Sequence, residues 1–256
     1  MPTGGITLNV NPLKWITCKA NAGTVYRYPT LNDLYWNPGG NINLKPEQGT
    51  SGEGSLQLHQ QVKKFYFSVT GTLFSRNIHD WIVWLPGKNQ NWSPVNIQQV
   101  WSRGMETNTE ISYKHKSFKT SLNVLTNYIL STPTQTTLQN DASVNLQIPY
   151  APMYSGSAIF FMEYKNWMIR LACTYTGYRY LTTDHYSYLP PYTLWDARIA
   201  RTFTMKNFLL NVYAEGNNLF NENYQSYSQY PMPLRNFKAG IIIQYHKPKN
   251  KNQNHD

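Results

Sequence analysis

No run of about 18 to 20 uninterrupted apolar residues occurs in this 256-residue chain, so a transmembrane helix is excluded. Charge is sparse at 14 %, and there are only two cysteines, Cys18 and Cys173. Two cysteines so far apart form no spaced metal or redox motif; both read as small apolar residues, buried or facing lipid. The six histidines, His59, His79, His115, His185, His246 and His255, show neither metal-ligand spacing nor a carboxylate pair at helical spacing. Asp184-His185 with Ser187 comes nearest to a triad, but adjacent residues of a strand or loop point different ways, so the cluster reads as plain loop polarity. No catalytic residue, metal or cofactor is expected. Met1 to Val10 lacks a basic segment followed by an apolar core. No signal peptide is therefore visible, and the true N-terminus is expected upstream.

What is plentiful is aromatic. Phe, Trp and Tyr make up 15 % of the chain, with 20 Tyr and 8 Trp, yet the mean hydropathy is −0.54. A transmembrane β-barrel yields this mixture, because half of each strand faces lipid, half faces a wet lumen, and aromatic girdles mark both interfaces. The net charge of +10 comes from basic residues that look scattered in sequence, apart from the tail Lys247 to Lys251. An ordinary solvated excess is the first reading, anionic lipid headgroups or lipopolysaccharide phosphates the next, and no nucleic acid partner is expected.

Period-two alternation settles the secondary structure. Phe65, Phe67, Val69 and Leu73 oppose Tyr66, Ser68, Thr70 and Thr72. Trp195, Ala197, Ile199 and Phe203 share a side broken only by Arg201, and Leu122, Val124, Tyr128 and Leu130 share another. Such runs predict about eleven strands, at 5–10, 13–27, 54–61, 64–84, 95–114, 117–132, 143–164, 167–182, 192–204, 207–216 and 235–246. Short turns, Asn11-Pro12, Lys63-Lys64, His115-Lys116, Lys165-Asn166 and Lys206-Asn207, alternate with long loops at 28–53, 85–94, 133–142, 183–191 and 217–234. Short periplasmic turns at one end and long external loops at the other are the signature of an outer-membrane barrel. Several strands exceed the soluble average of about five or six residues, and no helical stretch is available to cover their edges.

Three segments resemble the TonB-dependent receptor family. The first runs from Tyr26 through Arg27, Tyr28 and Pro29 to Trp36, and on through Gly39, Gly40, Asn41, Leu44, Pro46 and Glu47. It is similar to the family's aromatic-Arg-x-Pro element, with Tyr28 where the family usually has Ala, followed by a Gly-Asn-x-x-Leu-x-Pro-Glu loop. The second contains Asn218, Leu219, Phe220 and Tyr224. The third, Tyr230-Pro231-Met232-Pro233-Leu234-Arg235, resembles the family's Pro-Gly-Arg turn, with Leu234 replacing Gly. The closing segment carries Lys238, Gly240, Ile243 and Tyr245, which resembles the sorting signal read by the barrel-assembly machinery, a strand edge offered for pairing.

The resemblance implies an all-β, antiparallel transmembrane barrel segment of about eleven strands, half of a barrel of about 22, over residues 1–246, with a polar tail at 247–256. It also implies a missing N-terminal half and plug, TonB acting through that plug, and uptake of a ferric siderophore, haem or cobalamin. An open sheet cannot sit alone in hydrocarbon, since each unpaired edge group costs several kcal/mol there. Truncation ranks ahead of a split partner, and two copies closing one barrel rank last. A soluble or surface β-rich binding module, or a non-functional remnant, is the alternative. Ligand contacts are expected from Tyr35, Trp36, Trp92, Tyr186, Tyr188 and Tyr227 unless these are girdle residues. Gly39-Gly40 reads as a turn, and Arg27 and Arg235 as loop braces.

Overall fold

The computed structural model describes residues 3–86, 91–135 and 144–245; the predicted tail 247–256 and His246 lie outside these. In chain order the elements are β1 (Gly5–Leu13), β2 (Ile16–Arg27), α1 (Leu31–Tyr35), β3 (Glu47–Val62), β4 (Phe65–Pro86), β5 (Trp92–His115), β6 (Phe118–Gln135), β7 (Tyr154–Tyr164) and β8 (Trp167–Thr176). They continue with β9 (Arg179–Tyr180), β10 (Tyr188–Leu189), β11 (Tyr192–Thr204), β12 (Phe208–Asn217), β13 (Gln225–Tyr227), β14 (Tyr230–Pro231) and β15 (Asn236–Tyr245). Eleven strands form one antiparallel sheet in the order β1-β2-β3-β4-β5-β6-β7-β8-β11-β12-β15, while β9-β10 and β13-β14 are small ribbons in the loops. The sheet is open. Because its strand count is odd and every neighbour is antiparallel, the edge strands β1 and β15 run in the same direction.

The predicted strands are all present, with corrected ends. β3 begins at Glu47, not 54, because the Gly-rich stretch read as loop is paired on both sides: Gly49 meets Val25 and Ile78 in register, and a Cβ there would overlap the Asn77 carbonyl. The first turn is Lys14-Trp15 rather than Asn11-Pro12, since β1 pairs as far as Leu13↔Ile16. β7 starts at Tyr154, not 143, and β8 stops at Thr176, not 182. The loop between β4 and β5 is shorter than expected, and β6 runs on to Gln135. A single helical turn, α1, stands where no helix was foreseen. It is capped by Thr30, whose hydroxyl accepts from the Asp33 N–H.

Alternation carries through the register. Leu58, Val69, Thr109, Val124, Ala158, Cys173 and Trp195 lie in one row across seven strands, and Val10, Cys18 and Leu56 in another. This flank is uncovered: Val69 is 47 % exposed, Leu73 64 % and Ile243 68 %. Contiguous exposure of large apolar side chains on this scale is what a lipid-facing surface requires and what a soluble sheet cannot sustain. Arg201, the break in the pattern, does stand on this flank, with its guanidinium over the rings of Trp167 (5.0 Å) and Phe203 (4.8 Å). The opposite flank is polar, with Arg198, Glu215 and Lys238 in adjacent register positions linked at 3.5 and 3.9 Å. Among the described residues the largest fully buried side chains, Pro94, Val100 and Pro133, cluster toward the long-loop end rather than mid-sheet.

In the turns β3-β4, β5-β6 and β7-β8 the first residue adopts a left-handed backbone: Lys63 (φ 54°), Lys116 (φ 52°) and Lys165 (φ 53°). Asparagine or glycine fills such positions with less steric cost, by about 1 kcal/mol.

Candidate functional site in the loop cap

The loop 28–46 folds back onto the polar flank because its two ends are tied together. Arg27 and Glu47 are register partners, and the Arg27 Nε–H donates to Glu47 Oε2 at 2.7 Å while a second guanidinium nitrogen meets Oε1. Glu47 Oε1 also accepts from the Ile82 N–H at 2.8 Å, and Glu47 is only 4 % exposed. Asp33, 6 % exposed, accepts from the Thr30 N–H (2.8 Å), the Thr30 hydroxyl (2.8 Å) and the Trp84 indole N–H (2.9 Å), with Arg27 at 3.8 Å. Burial pushes the Asp33 carboxyl up. The hydrogen bonds from Thr30 and Trp84 and the nearby guanidinium outweigh it and hold the group below the usual carboxylate range.

Past α1 the backbone turns tightly. Gly39 sits at φ 127°, and a Cβ there would overlap the Trp92 carbonyl; a Cβ on Gly40 would lie 2.6 Å from the Trp36 nitrogen. Asn41 donates to the Pro94 carbonyl at 3.1 Å, and Asn96 bridges to Lys45 at 2.9 and 3.0 Å, so the loop is stitched to β5.

The later loops interlock in the same way. Gln147 accepts from the Ser131 N–H at 2.8 Å and donates to the Ala151 carbonyl at 3.2 Å; its own carbonyl meets His185 Nε2 at 2.7 Å, and the His185 ring stacks on Tyr180 at 3.5 Å. Arg179 is buried and donates to the carbonyls of Gln225 (2.9 Å) and Pro190 (3.2 Å), over the Tyr192 ring at 4.9 Å. Its guanidinium pKa is lowered, first by burial. Asn218 (φ 50°) closes the last loop, accepting from the Glu222 N–H and donating to its carbonyl, both at 2.8 Å.

Between these loops lies a cavity of about 710 Å³ lined by Thr30, Asn32, Asp33, Trp36, Trp84, Trp92, Tyr227, Ser228 and Tyr230. Tyr150 stands behind the wall, its ring 5.4 Å from Trp92 and 5.1 Å from Tyr227. The volume falls in the range of small-molecule sites, and flat aromatic walls with a few polar groups suit a bulky, partly apolar ligand. Asp33 has its oxygens engaged, so it orients Trp84 and the loop. A second cavity of about 360 Å³, lined by Tyr26, Gln48, Thr50, Asn77 and His79 among others, opens on the outward flank.

Residues 1–219 match a family model described as TonB dependent receptor-like, beta-barrel. The chain belongs to this family of TonB-dependent receptors. It is 28 % identical over 230 residues to the vitamin B12 transporter BtuB of Photobacterium profundum, covering 88 % of this chain and 35 % of that protein. It is 32 % identical over 105 residues to BtuB of Vibrio vulnificus, covering 41 % of this chain and 16 % of the relative. The chain thus spans about a third or less of these relatives. Among solved structures, the copper transporter OprC superposes with a TM-score of 0.68 at 15 % identity, over 93 % of this chain and 39 % of that one. The unliganded ferric citrate transporter FecA gives 0.67 at 15 %, over 95 % and 38 %. At such identity these superpositions speak for the fold alone.

Within the TonB-dependent receptor frame, three of the six aromatic candidates converge: Trp36, Trp92 and Tyr227 line the cavity. The other three do not. Tyr35 is exposed outside it, Tyr186 is 88 % exposed, and Tyr188 packs edge-on against Tyr178 at 5.3 Å. Of the motif residues, Arg27, Gly40, Asn41 and Glu47 build the first loop as described, while Leu44 is buried beneath it and Pro46 leads into β3. Pro29 starts the turn into α1. Leu219 donates its N–H to the Trp195 carbonyl at 2.8 Å, Phe220 stands edge-on to Trp195 at 6.2 Å, and Tyr224 packs on Tyr192 at 4.6 Å. Pro231 lies in β14, the Pro233 carbonyl is within 3.4 Å of Asn218 Nδ2, and Arg235 reaches the Leu219 carbonyl at 3.5 Å. On β15, Lys238 and Gly240 face the polar flank, where the Tyr213 ring lies over Gly240; Ile243 and Tyr245 face outward, Tyr245 against Phe208 at 5.4 Å.

Sequence reasoning missed Trp84, Tyr150, Asp33 and Arg179. Trp84 is simply the end of a predicted strand, and no local pattern marks a loop tyrosine or arginine that acquires its partners from segments 11 to 77 residues away.

Proposed function

We propose that this chain forms the C-terminal half of an outer-membrane barrel that imports a scarce nutrient of the cobalamin class, with residues 1–246 as one barrel unit and the aromatic cavity contributing to ligand capture. The observation that carries the reading is the meeting of Trp36, Trp84, Trp92 and Tyr227 from four separate segments in one cavity at the long-loop end. The names of the BtuB relatives favour cobalamin over ferric siderophore or haem. No catalytic role is assigned.

The direction of the open edges supports this reading. Both edges run the same way, so two copies of this sheet with their short turns on the same side would meet in parallel seams, whereas an odd-stranded sheet whose two edges both run opposite to these closes an all-antiparallel barrel. That complementary sheet, with a plug through which TonB acts, is the partner in this reading. Lipid and lipopolysaccharide surround the barrel, and the barrel-assembly machinery reads β15.

Tryptophan fluorescence of the detergent-solubilised protein, titrated with cyanocobalamin, tests the assignment. Saturable quenching is expected, weakened about tenfold or more by Trp92→Ala, the order of one lost aromatic contact. Saturation by a ferric siderophore but not by cyanocobalamin would replace the ligand class. A folded protein that responds to neither would remove the cavity's role.

A further inference from the structure

The fold gathers lysines that look dispersed in sequence. Every short turn carries at least one: Lys14, the pair Lys63 and Lys64, Lys116, Lys165 and Lys206. No acidic residue lies in any of these turns. Among the described residues, the long loops balance Lys45, Arg179 and Arg235 against Asp33, Asp184 and Glu222. The charge excess is therefore polar in space, concentrated at one end of the sheet.

Two further features point to what that end meets. Directly above the turns an aromatic belt crosses the apolar flank, with Phe65 and Tyr113 at 4.7 Å, Tyr113 and Phe118 at 6.1 Å, and Phe118 and Tyr164 at 6.4 Å. Cations stack into it: Lys165 over Tyr164 at 5.3 Å, and Arg201 over Trp167. Aromatic rings at the hydrocarbon boundary with lysines just beyond are the order of groups that a bilayer with anionic headgroups selects. In addition, Lys63, Lys116 and Lys165 occupy left-handed positions that asparagine or glycine would fill with less strain, so a basic side chain stands where the backbone disfavours it.

We propose that the short-turn end docks onto anionic phospholipid headgroups of the leaflet it adjoins. This rests on the membrane-barrel reading. Lys114 and Lys119 take no part: they face the polar flank, where Lys119 pairs with Glu163 at 3.2 Å.

The test is vesicle flotation of the full chain with phosphatidylcholine vesicles and with vesicles containing phosphatidylglycerol. The variant is Lys63→Asn/Lys116→Asn/Lys165→Asn, which removes three charges and places at each turn a residue that favours the left-handed backbone. It is expected to bind phosphatidylglycerol vesicles about 100-fold more weakly than the native chain, to match it on phosphatidylcholine, and to lose the difference in about 1 M salt. Lys45→Gln at the other end should change nothing. Equal binding of variant and native chain to phosphatidylglycerol overturns the docking while leaving the barrel standing. Failure of the native chain to bind phosphatidylglycerol vesicles likewise overturns the docking, while the barrel reading stands because an open sheet does not insert alone; preference for soluble heparin over vesicles reassigns the patch away from lipid.

Discussion

Arg27 and Glu47 face each other in the β2-β3 register and join at 2.7 Å, so the whole loop 28–46 leaves and re-enters the sheet through one ion pair. The pair is asymmetric. Glu47 is buried and also holds the Ile82 N–H, whereas Arg27 is partly open to solvent and reaches toward Asp33.

Removing the cation leaves the buried Glu47 carboxylate with only the Ile82 N–H and takes the nearby positive charge from Asp33. Arg27→Ala should destabilise the loop by about 1 to 2 kcal/mol, less than breaking a fully buried pair because solvent screens the half-open guanidinium, and Arg27→Lys should recover only part because it cannot bond bidentately. Amide exchange across 28–46 would report it, with the strands β6 to β8 unchanged.

Asp33 makes the same loop sensitive to acid. Its folded pKa is below the unfolded value of about 3.9, so its contribution is complete above that value and is lost as pH falls through the folded pKa. Protease sensitivity of loop 28–46 should therefore rise below about pH 4, and Asp33→Asn should flatten this dependence at the expense of stability at neutral pH. A native chain whose loop is equally protected at pH 3 would contradict the arrangement.

Gly39 leaves no room for a side chain between the first loop and β5. Gly39→Ala adds a methyl against the Trp92 carbonyl at a φ of 127°, and neither backbone can yield easily. A cost of about 1 to 3 kcal/mol is expected, together with displacement of Trp92 from the cavity. Reduced ligand-induced quenching with unchanged far-ultraviolet circular dichroism would be the result.

Adjacent positions on β4 separate a lipid flank from a wet one. Val69 is exposed, so a soluble sheet would accept Val69→Arg within about 0.5 kcal/mol. In a barrel it should cost about 2 to 4 kcal/mol at mid-bilayer, whereas Thr70→Arg on the other flank should cost little. Urea unfolding in lipid vesicles compares the two, and equal costs would argue against the assignment of flanks.

The strands were legible because alternation is local: whether Phe67 and Val69 share a side depends on neither partner strand nor register. Their ends were less legible where glycine was involved. Residues 47–53 read as loop since glycine has no side chain to show an alternating pattern, yet the absence of a Cβ at Gly49 is what allows close pairing with β4. The site was half legible. Trp36, Trp92 and Tyr227 stood out as loop aromatics, but so did Tyr35, Tyr186 and Tyr188, and only loop folding separates the two groups.

The sequence by itself determined the antiparallel strands, their two flanks and the family, because each follows from residue type and spacing along the chain. Only the tertiary structure decided which aromatics meet in a cavity and that Arg179 and Asp33 become buried hubs. Those are distances between segments far apart in sequence, and they exist only once register and loop closure have brought the segments together.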